Sequence, residues 1–427
     1  MVAKPTLPPG TKPSETGNRT LLQIIFGTTL LDMLGIGLII PVVTPLILDP
    51  QRHLLDPATP FGDRTLVLGF LLSSFSLAQF LGSGLLGSLS DRHGRKPVLF
   101  WTVAGTMLSY LVFGAGIMLE SLPLLFVARL ILGFCSGNLA VTFSSIADLS
   151  TPEAKSRNFG MVGAAFGIGF VLGPFLGGLL SDPQNHPSLG YETPFWAAAV
   201  LSALNLAVIQ RFYKETLAER THRPLGLGDG LRQIRTAFSH PTLRRLFLVS
   251  FLMVFGFNFF SQYLQVYMIE RFDYKQRDIG NLFGYLGLWI ALTQGGLLRP
   301  ISARFSPERI LRVSLPVLAL GFVGILWPSN PVWMYAILPL VSLGQGFSSP
   351  NLLSLVSNRA DASVQGEILG INQSVNSFAQ LLPPLLGGIV VAWDLRAPLV
   401  AAGVFVVLAW LTLASVNKTP LGNSSPR

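Results

Sequence analysis

Residues 87–97 read G-S-L-S-D-R-H-G-R-K-P and lie between two long apolar runs. Five titratable side chains fall within six positions of this segment: Asp91, Arg92, His93, Arg95 and Lys96. Hydrocarbon excludes such a cluster, because charged groups and irregular backbone are costly at membrane depth. The segment is therefore predicted to be a very short aqueous loop between two membrane helices.

Apolar runs of about 18 or more residues, each able to cross roughly 30 Å of hydrocarbon, recur along nearly the whole chain. Half of the 427 residues are hydrophobic, 12% are charged and the mean hydropathy is +0.54, which excludes an ordinary soluble protein. The sequence therefore predicts an all-α membrane protein. The twelve predicted transmembrane helices lie at about 21–41, 66–88, 98–118, 123–147, 159–181, 193–212, 246–268, 279–298, 310–327, 332–356, 367–392 and 397–416. Because some runs are short or contain proline, eleven or thirteen spans also fit.

The basic residues are distributed unevenly between alternate loops. The net charge is +9, and 23 of the 30 Lys and Arg residues fall in the tails and inner connections when the N-terminus is placed inside. Arg129 falls within a run, and six residues fall in outer loops: Arg52, Arg64, Arg271, Lys275, Arg277 and Arg396. Cytoplasmic loops accumulate basic residues, so both termini are predicted to be cytoplasmic, and no nucleic-acid partner is needed to explain the charge. The polar first twenty residues lack a signal-peptide core, and the short loops favour a bacterial inner membrane.

One long hydrophilic stretch divides the runs into six and six. Secondary transporters often consist of two such repeats with the substrate site between them. Residues 302–306 weakly resemble residues 90–94, which supports this division. The expected organisation is a cytoplasmic tail (1–20), a six-helix bundle (21–212), a cytoplasmic central loop (213–243), a second six-helix bundle (244–416) and a cytoplasmic tail (417–427).

With these features in place, the chain resembles the major facilitator superfamily over essentially all of residues 20–416. The signature of that family between helices 2 and 3 is G-x-L-x-D-R-x-G-R-K/R-x, and residues 87–97 match it at every characteristic position. The resemblance implies two pseudo-symmetric six-helix bundles in a monomer that transports small molecules. The signature does not indicate a substrate.

Further segments are similar to the twelve-helix drug/proton antiporters, which include tetracycline-resistance antiporters. Helix 1 carries an acidic glycine-proline pattern that begins at Asp32, helix 4 carries Arg129 followed by Gly133, and residues 365–367 at the entry to helix 11 are also similar. Helix 5 resembles the antiporter motif, which we expect to allow close helix packing through Gly163, Gly167, Gly173, Pro174 and Gly177. Pro174 also removes one hydrogen bond of the helix and permits a bend.

Asp32 is the only carboxylate well inside any of the twelve runs, roughly 14 Å from the outer end of helix 1. An acid at that depth costs about 2.5–3.5 kcal/mol on insertion scales, which favours a role in proton coupling over a purely polar role. Arg129 lies about 9 Å from the outer end of helix 4 by the same rise and is expected to pair with Asp32 or a substrate anion. Either protonation of Asp32 weakens this pair and lets the cavity reorganise, or the pair is a permanent salt bridge between helices 1 and 4.

The charged loop is predicted to act as a conformational latch. Asp91 is expected to accept hydrogen bonds from the first N–H groups of helix 11, near 364–366, and Arg95 to reach Asp148. These contacts would hold the two halves together on the inner side. The alternative is an anchor that only fixes the topology. The predicted latch residues are Gly87, Asp91, Arg92, Gly94, Arg95, Lys96 and Asp148.

Polar side chains at helical spacing predict the wall of a substrate cavity, because amides in lipid must face protein or water. Interhelical hydrogen bonding without substrate contact is the alternative for each of them. Their neutral and aromatic character suits a hydrophobic or weakly charged ligand. The predicted cavity residues are Gln79, Asn258, Gln262, Tyr285, Trp289, Asn372, Asn376 and Gln380, with Gln265 and Asn281 on the same stripes.

The sequence contains no nucleotide-binding loop, metal-ligand spacing or nucleophile motif, so neither a cofactor nor a metal is expected, and the chain is not predicted to be an enzyme. The predicted function is export of a small hydrophobic compound in exchange for protons by alternating access. The alternatives are a sugar or metabolite efflux transporter or facilitator and a transport-inactive receptor. The predicted partners are the substrate, protons and the lipid bilayer.

Overall fold

The computed structural model describes residues 15–150, 152–217, 229–239, 243–359 and 365–415, and within these ranges the regular structure is helical. Its helices are α1 Glu15–Leu48, α2 Phe61–His93, α3 Arg95–Met118, α4 Leu122–Ser136, α5 Leu139–Leu149, α6 Pro152–Ser181, α7 Thr193–Phe212, α8 Asp229–Ser239, α9 Arg244–Phe272, α10 Gln276–Leu292, α11 Leu298–Ser302, α12 Pro307–Gly324, α13 Met334–Asn358, α14 Gln365–Trp393 and α15 Ala397–Ala414. A π-helical turn, Thr293–Leu297, joins α10 to α11, and a 3₁₀ turn, Pro331–Trp333, precedes α13.

Each of the twelve predicted runs contains helix, which agrees with the all-α membrane class. Nine helical stretches in the described part of the chain are long and apolar enough to cross a membrane. Three predicted runs, at 279–298, 310–327 and 332–356, are not among the nine. The count of twelve spans and the orientation of the termini therefore stay predictions.

Four boundaries differ from the sequence prediction. The predicted loop 87–97 is almost entirely helical, because α2 continues to His93 and α3 begins at Arg95, so that Gly94 alone separates them. A membrane helix can continue through charged residues beyond the hydrocarbon, so the helix is longer than its apolar run. The predicted fourth span is divided between α4 and α5 at residues 137–138, and the predicted eighth contains the π-helical turn. The predicted central loop contains α8.

The two halves contact one another mainly through two helix pairs, α6 with α10 and α2 with α14, and α1 makes smaller contacts with α9 and α10. The closest approaches lie toward the end of the molecule that carries residues 49–60, 182–192, 273–275 and 394–396, here termed the outer end. There a Cβ added to Gly178 would lie 3.0 Å from Gly280 Cα, so the backbones of α6 and α10 touch. The Thr65 hydroxyl on α2 donates to the Gly388 carbonyl on α14 at 3.2 Å. The halves are therefore closed against each other at the outer end.

Toward the opposite end, termed the inner end, the same helix faces separate. Residues 163, 167, 171 and 178 lie on one face of α6 by helical spacing, and 171 and 178 contact α10. A Cβ added at Gly163 or Gly167 would nevertheless have no neighbour within 4 Å among the described residues, and the same holds at Gly295 and Gly296 of the π-helical turn. We infer that α6 and the α10–α11 segment diverge toward the inner end.

Candidate functional site

The Asp32 carboxylate lies midway along α1 and accepts a hydrogen bond from Asn138. The Asn138 Nδ2 donates to Asp32 Oδ2 at 2.9 Å, and Asn138 is only 2% exposed, whereas Asp32 is partly exposed. Burial leaves Asn138 few other acceptors, so this contact fixes the amide toward α1. Among the described residues, the carboxylate therefore has one hydrogen-bond donor, a neutral amide in the interruption between α4 and α5.

The interruption between α4 and α5 presents Asn138 to α1. Gly137 and Asn138 stand between the two helices, and a Cβ on Gly137 would lie 2.6 Å from the Gly82 carbonyl carbon of α2. One turn earlier a Cβ on Gly133 would lie 2.9 Å from Phe75 Cα of α2. Glycine at both positions therefore allows α2 and α4 to approach closely. The spacing of apolar residues does not predict the interruption. The Gly-Asn pair within an apolar run could have predicted it.

Arg129 and Asp32 do not form an ion pair in the part of the chain that the structure describes. The Arg129 Nε donates to the Leu71 carbonyl at 3.4 Å and its Nη2 to the Leu72 carbonyl at 3.5 Å. The guanidinium carbon lies 4.6 Å from the centre of the Phe75 ring, within cation–π range. A permanent salt bridge between helices 1 and 4 is therefore wrong for this conformation, because α2 supplies the contacts that the buried guanidinium requires.

Tyr110 on α3 belongs to the same cluster and was missed by the sequence analysis. Its side chain is 2% exposed, and its hydroxyl interacts electrostatically with both Asp32 and Arg129. Cys135 on α4 also interacts electrostatically with Asp32. Three helices, α1, α3 and α4, and the interruption between α4 and α5 thus contribute polar groups to one site. A tyrosine in an apolar run carries no distinguishing spacing, so the sequence alone does not select it.

At the inner end of α2 and α3, Arg95 is the centre of a network of ion pairs. Its Nη1 lies 2.6 Å from Asp91 Oδ1 and donates to Ser90 Oγ at 2.6 Å, while its Nε lies 3.1 Å from Asp148 Oδ2. The structure thus contains the predicted contact between Arg95 and Asp148. Arg95 is 5% exposed, whereas both carboxylates are about a quarter exposed at the side chain. The network ties α2, α3 and α5 together within the first half.

Glu215, which follows α7, is a further member that the sequence analysis missed. Its carboxylate accepts hydrogen bonds from the backbone N–H groups of Arg95 at 2.8 Å and Lys96 at 3.1 Å. It therefore caps the N-terminus of α3, where the helix dipole favours an anion. Gly94 has φ of 106°, and a Cβ there would lie 2.9 Å from the Glu215 carboxyl carbon. Glycine is thus required both by the backbone conformation and by the position of Glu215.

The remaining latch residues contact only the first half, as far as the described residues show. Lys96 Nζ donates to the Gln210 carbonyl at 3.0 Å, Arg92 is exposed, and a Cβ on Gly87 would make an ordinary 3.7 Å contact with Ala140. The predicted partner of Asp91 begins at Val364, which lies outside the described residues, and nothing is described of the side chains at 365–367. The latch between the halves therefore stays a prediction.

The glycines of the antiporter-like segment divide into two groups. A Cβ on Gly173 would lie 2.7 Å from Gly37 Cα, and one on Gly177 would lie 2.5 Å from the Leu38 carbonyl oxygen, so this group packs directly on α1. Pro174 lies within α6 and would contact a Cβ on Gly37 at 2.9 Å. Gly163 and Gly167, in contrast, lie beside open space among the described residues, so the close packing predicted at these two positions does not occur in this conformation.

The predicted cavity residues are mostly partly exposed, as their polarity requires. Asn376 accepts a hydrogen bond from the Ser250 hydroxyl at 3.1 Å, and the Tyr285 hydroxyl donates to the Tyr335 carbonyl at 2.9 Å. Asn258 donates within its own helix, the Tyr285 and Trp289 rings are in contact, and the oxygen of the buried Asn372 has no hydrogen-bond partner among the described residues. No side-chain hydrogen bond to another described residue occurs at the other three: Gln79, Gln262 and Gln380. Their common cavity stays a prediction.

Two grooves open between helices away from this cluster. One of about 350 Å³ lies between α1 and α7 and is lined by apolar side chains with Gln23 and Asn205. The other, of about 250 Å³, lies between α6 and α10 and includes Asn281 and Tyr285 of the predicted cavity wall. Neither is lined by Asp32 or Arg129.

Comparison with known proteins agrees with this architecture. The chain is 30% identical over 395 residues to the tetracycline resistance protein, class C, of Escherichia coli, which covers 90% of this chain and 94% of that protein. It is 30% identical over 408 residues to human major facilitator superfamily domain-containing protein 10, covering 86% of each. The crystal structure of the human organic anion transporter MFSD10 (TETRAN) superposes with a TM-score of 0.72 at 27% identity, covering 93% of this chain and 99% of that one.

The family assignment rests on most of the chain. Residues 25–383 match the family described as Major Facilitator Superfamily. The apolar helices and this match indicate a multi-pass membrane protein with the fold of small-molecule transporters. The chain belongs to the major facilitator superfamily.

Proposed function

We propose that this protein exports a small hydrophobic organic compound in exchange for protons. The observation that carries the proposal is the carboxylate of Asp32, which lies midway along α1, is partly exposed and forms no ion pair among the described residues. A carboxylate held by a neutral amide can accept and release a proton without first breaking a salt bridge. Such a group within a membrane helix is a functional-site candidate by default.

Protonation of Asp32 changes what the group can do at its contact with Asn138. The ionised carboxylate accepts the amide N–H, and the charge assists that hydrogen bond. The protonated form carries no charge and makes a weaker acceptor, so the tie between α1 and the α4–α5 interruption loosens. A change in the proton occupancy of Asp32 is thereby converted into a change in helix contacts, which alternating access requires.

The proposed substrate class follows from the polar and aromatic residues of the predicted cavity wall. The predicted cavity residues are amides and aromatic side chains, which suit apolar compounds with a few hydrogen-bonding groups. The similarity to tetracycline resistance proteins supports the same class. The proposal includes a monomer with twelve spans in a bacterial inner membrane, with both termini cytoplasmic.

A second candidate function, transport of an organic anion, is favoured by Arg129. Its guanidinium is 5% exposed, has no carboxylate partner among the described residues, and lies on the aromatic ring of Phe75. A buried cation of this kind can bind a substrate carboxylate. The similarity to an organic anion transporter points in the same direction. Sugar or metabolite efflux and a transport-inactive receptor are the remaining alternatives, and no contact among the described residues favours them.

The test is proton flux in inside-out membrane vesicles with a pH-sensitive dye. Tetracycline, a lipophilic cation, an aromatic carboxylate and a sugar are added in turn to vesicles with an acidic interior. Wild type and Asp32→Asn are run beside Asp63→Asn, a control that removes an exposed acid at the start of α2. We expect one of the apolar compounds to release the gradient in wild type and the control but not in Asp32→Asn.

The outcomes separate the candidate functions. Release by the aromatic carboxylate, lost in Arg129→Lys, would support the organic anion candidate. Binding or exchange of a compound without any proton movement would contradict antiport and favour a facilitator or a receptor. Full proton release in Asp32→Asn would remove Asp32 from the mechanism.

A further inference from the structure

The Tyr110 hydroxyl is a buried polar group that the proposed function leaves without a role. It is 2% exposed, and it has no hydrogen-bond partner in the described structure. A buried hydroxyl without a partner is unfavourable and calls for an explanation. Its polar neighbours are Asp32 on α1 and Arg129 on α4, with which it interacts electrostatically.

Gly35 provides the space that this hydroxyl occupies. A Cβ added to Gly35 would overlap the Tyr110 hydroxyl oxygen, so any larger residue would displace the phenol. Gly35 follows Asp32 by three positions, which places both on one face of α1. The glycine therefore brings the phenol to the face of α1 that carries the carboxylate.

A hydroxyl is the group that can join a carboxylate and a guanidinium which do not touch. It has one O–H to donate and lone pairs to accept, whereas the ionised carboxylate only accepts and the guanidinium only donates. We propose that Tyr110 is a positioning residue that bridges Asp32 and Arg129 when Asp32 is ionised. Its hydroxyl then donates to Asp32 and accepts from Arg129. This inference rests on the proposed function of Asp32.

In the structure this bridge is not formed. Among the described residues, Asn138 is the one hydrogen-bond donor to Asp32, Arg129 is turned to the carbonyls of α2, and the Tyr110 hydroxyl has no hydrogen-bond partner. When the bridge forms, the Tyr110 hydroxyl moves to the ionised carboxylate beside the Asn138 contact and the guanidinium moves to the hydroxyl, which shifts α4 relative to α1. The titratable groups that interact electrostatically with Asp32 include Tyr110 on α3 and Cys135 on α4.

The test compares Tyr110→Phe with Tyr213→Phe in the vesicle assay. Tyr213 is 1% exposed and belongs to a different hydrophobic cluster, so it is a matched control for loss of a buried hydroxyl. We expect the pH midpoint of substrate-driven proton release to move upward by about one unit in Tyr110→Phe, because the ionised form of Asp32 loses a donor. Tyr213→Phe should leave the midpoint unchanged.

Two further variants make the result decisive. Gly35→Ala displaces the same hydroxyl without removing it, so it should give the same upward movement even if Tyr110→Phe fails to fold. In the Asp32→Asn background, Tyr110→Phe should have no further effect on the affinity for substrate. If Asp32→Asn abolishes proton release but Tyr110→Phe and Gly35→Ala keep the wild-type midpoint, the bridge is overturned and the proposed function stands. If Asp32→Asn releases protons normally, the proposed function fails, and the bridge with it.

Discussion

The two groups of glycines in α6 lead to a quantitative prediction about helix packing. Gly173→Ala and Gly167→Ala introduce the same methyl group on the same helix, six positions apart. At Gly173 the new Cβ would lie 2.7 Å from Gly37 Cα and 2.8 Å from the Leu34 carbonyl oxygen. At Gly167 it would meet nothing within 4 Å among the described residues.

The expected difference in folding stability between the two variants follows from two opposing contributions. Replacement of a helical glycine by alanine stabilises a helix by about 1 kcal/mol, and this gain is common to both variants. The neighbours of Gly173 are backbone atoms that no side-chain rotation can remove, so α1 and α6 must separate, at a cost typical of overpacking, about 1–3 kcal/mol. Because the common gain cancels, the two variants should differ in folding stability by about 1–3 kcal/mol, with Gly173→Ala the less stable.

The measurement is the thermal unfolding midpoint of both variants and the wild type, purified in the same detergent. We expect Gly167→Ala to melt at or above the wild-type midpoint and Gly173→Ala to melt below Gly167→Ala. A Gly173→Ala protein as stable as Gly167→Ala would refute the reasoning, because it would show that α1 and α6 are not in backbone contact.

Three further predictions concern the network at the inner end. Gly94→Ala should lower the unfolding midpoint, because its φ of 106° and ψ of 158° cost an L-residue about 1–3 kcal/mol. Glu215→Gln should weaken the cap of α3 by about 0.3–1 kcal/mol, and melting at low and high salt should show that the difference shrinks as salt screens the charge. Arg95→Lys should destabilise the protein although the charge is kept, because the guanidinium serves Asp91 and Asp148 from two different nitrogens; a wild-type midpoint in this variant would contradict that role.

Much of the fold follows from hydropathy, because lipid leaves an isolated segment few options besides a helix. The segment 87–97 shows where this reasoning fails. Its charges predict exclusion from hydrocarbon, yet the helices continue through most of it, since exclusion from lipid does not require an irregular backbone. The interruption at residues 137–138 and the π-helical turn depend on contacts with neighbouring helices. The apolar pattern of a single segment contains no information about those contacts.

The site was accessible to sequence reasoning only where a residue is costly in lipid. Asp32 and Arg129 stand out because a charge in an apolar run needs an explanation. Asn138 and Tyr110 carry no charge, so their free-energy cost within a membrane helix is small and they do not stand out. Their importance comes from the helices that surround them. The alternative of a permanent salt bridge between Asp32 and Arg129 failed for the same reason, because the carbonyls of α2 that contact Arg129 are backbone groups without a sequence signal.

The separation of α6 from the α10–α11 segment leads to a final prediction about alternating access. Cys135 is the single cysteine and is 7% exposed, so a cysteine introduced at Gly163 or at Gly280 can be followed by labelling with a water-soluble maleimide. In the conformation described here Gly163→Cys should react and Gly280→Cys, whose site is packed against Gly178, should not. Both sites lie on the facing surfaces of the same helix pair, so closing the inner end must bring α11 toward Gly163 while the outer contact opens.

Substrate and a change of pH should therefore alter the two labelling rates in opposite directions. A parallel rise of both rates would indicate local unfolding instead, because unfolding exposes both sites at once. An unchanged rate at Gly163 during measured transport would mean that the halves do not close along α6. The opposite response is the result that distinguishes a rigid exchange of contacts along one helix pair from a general loosening of the bundle.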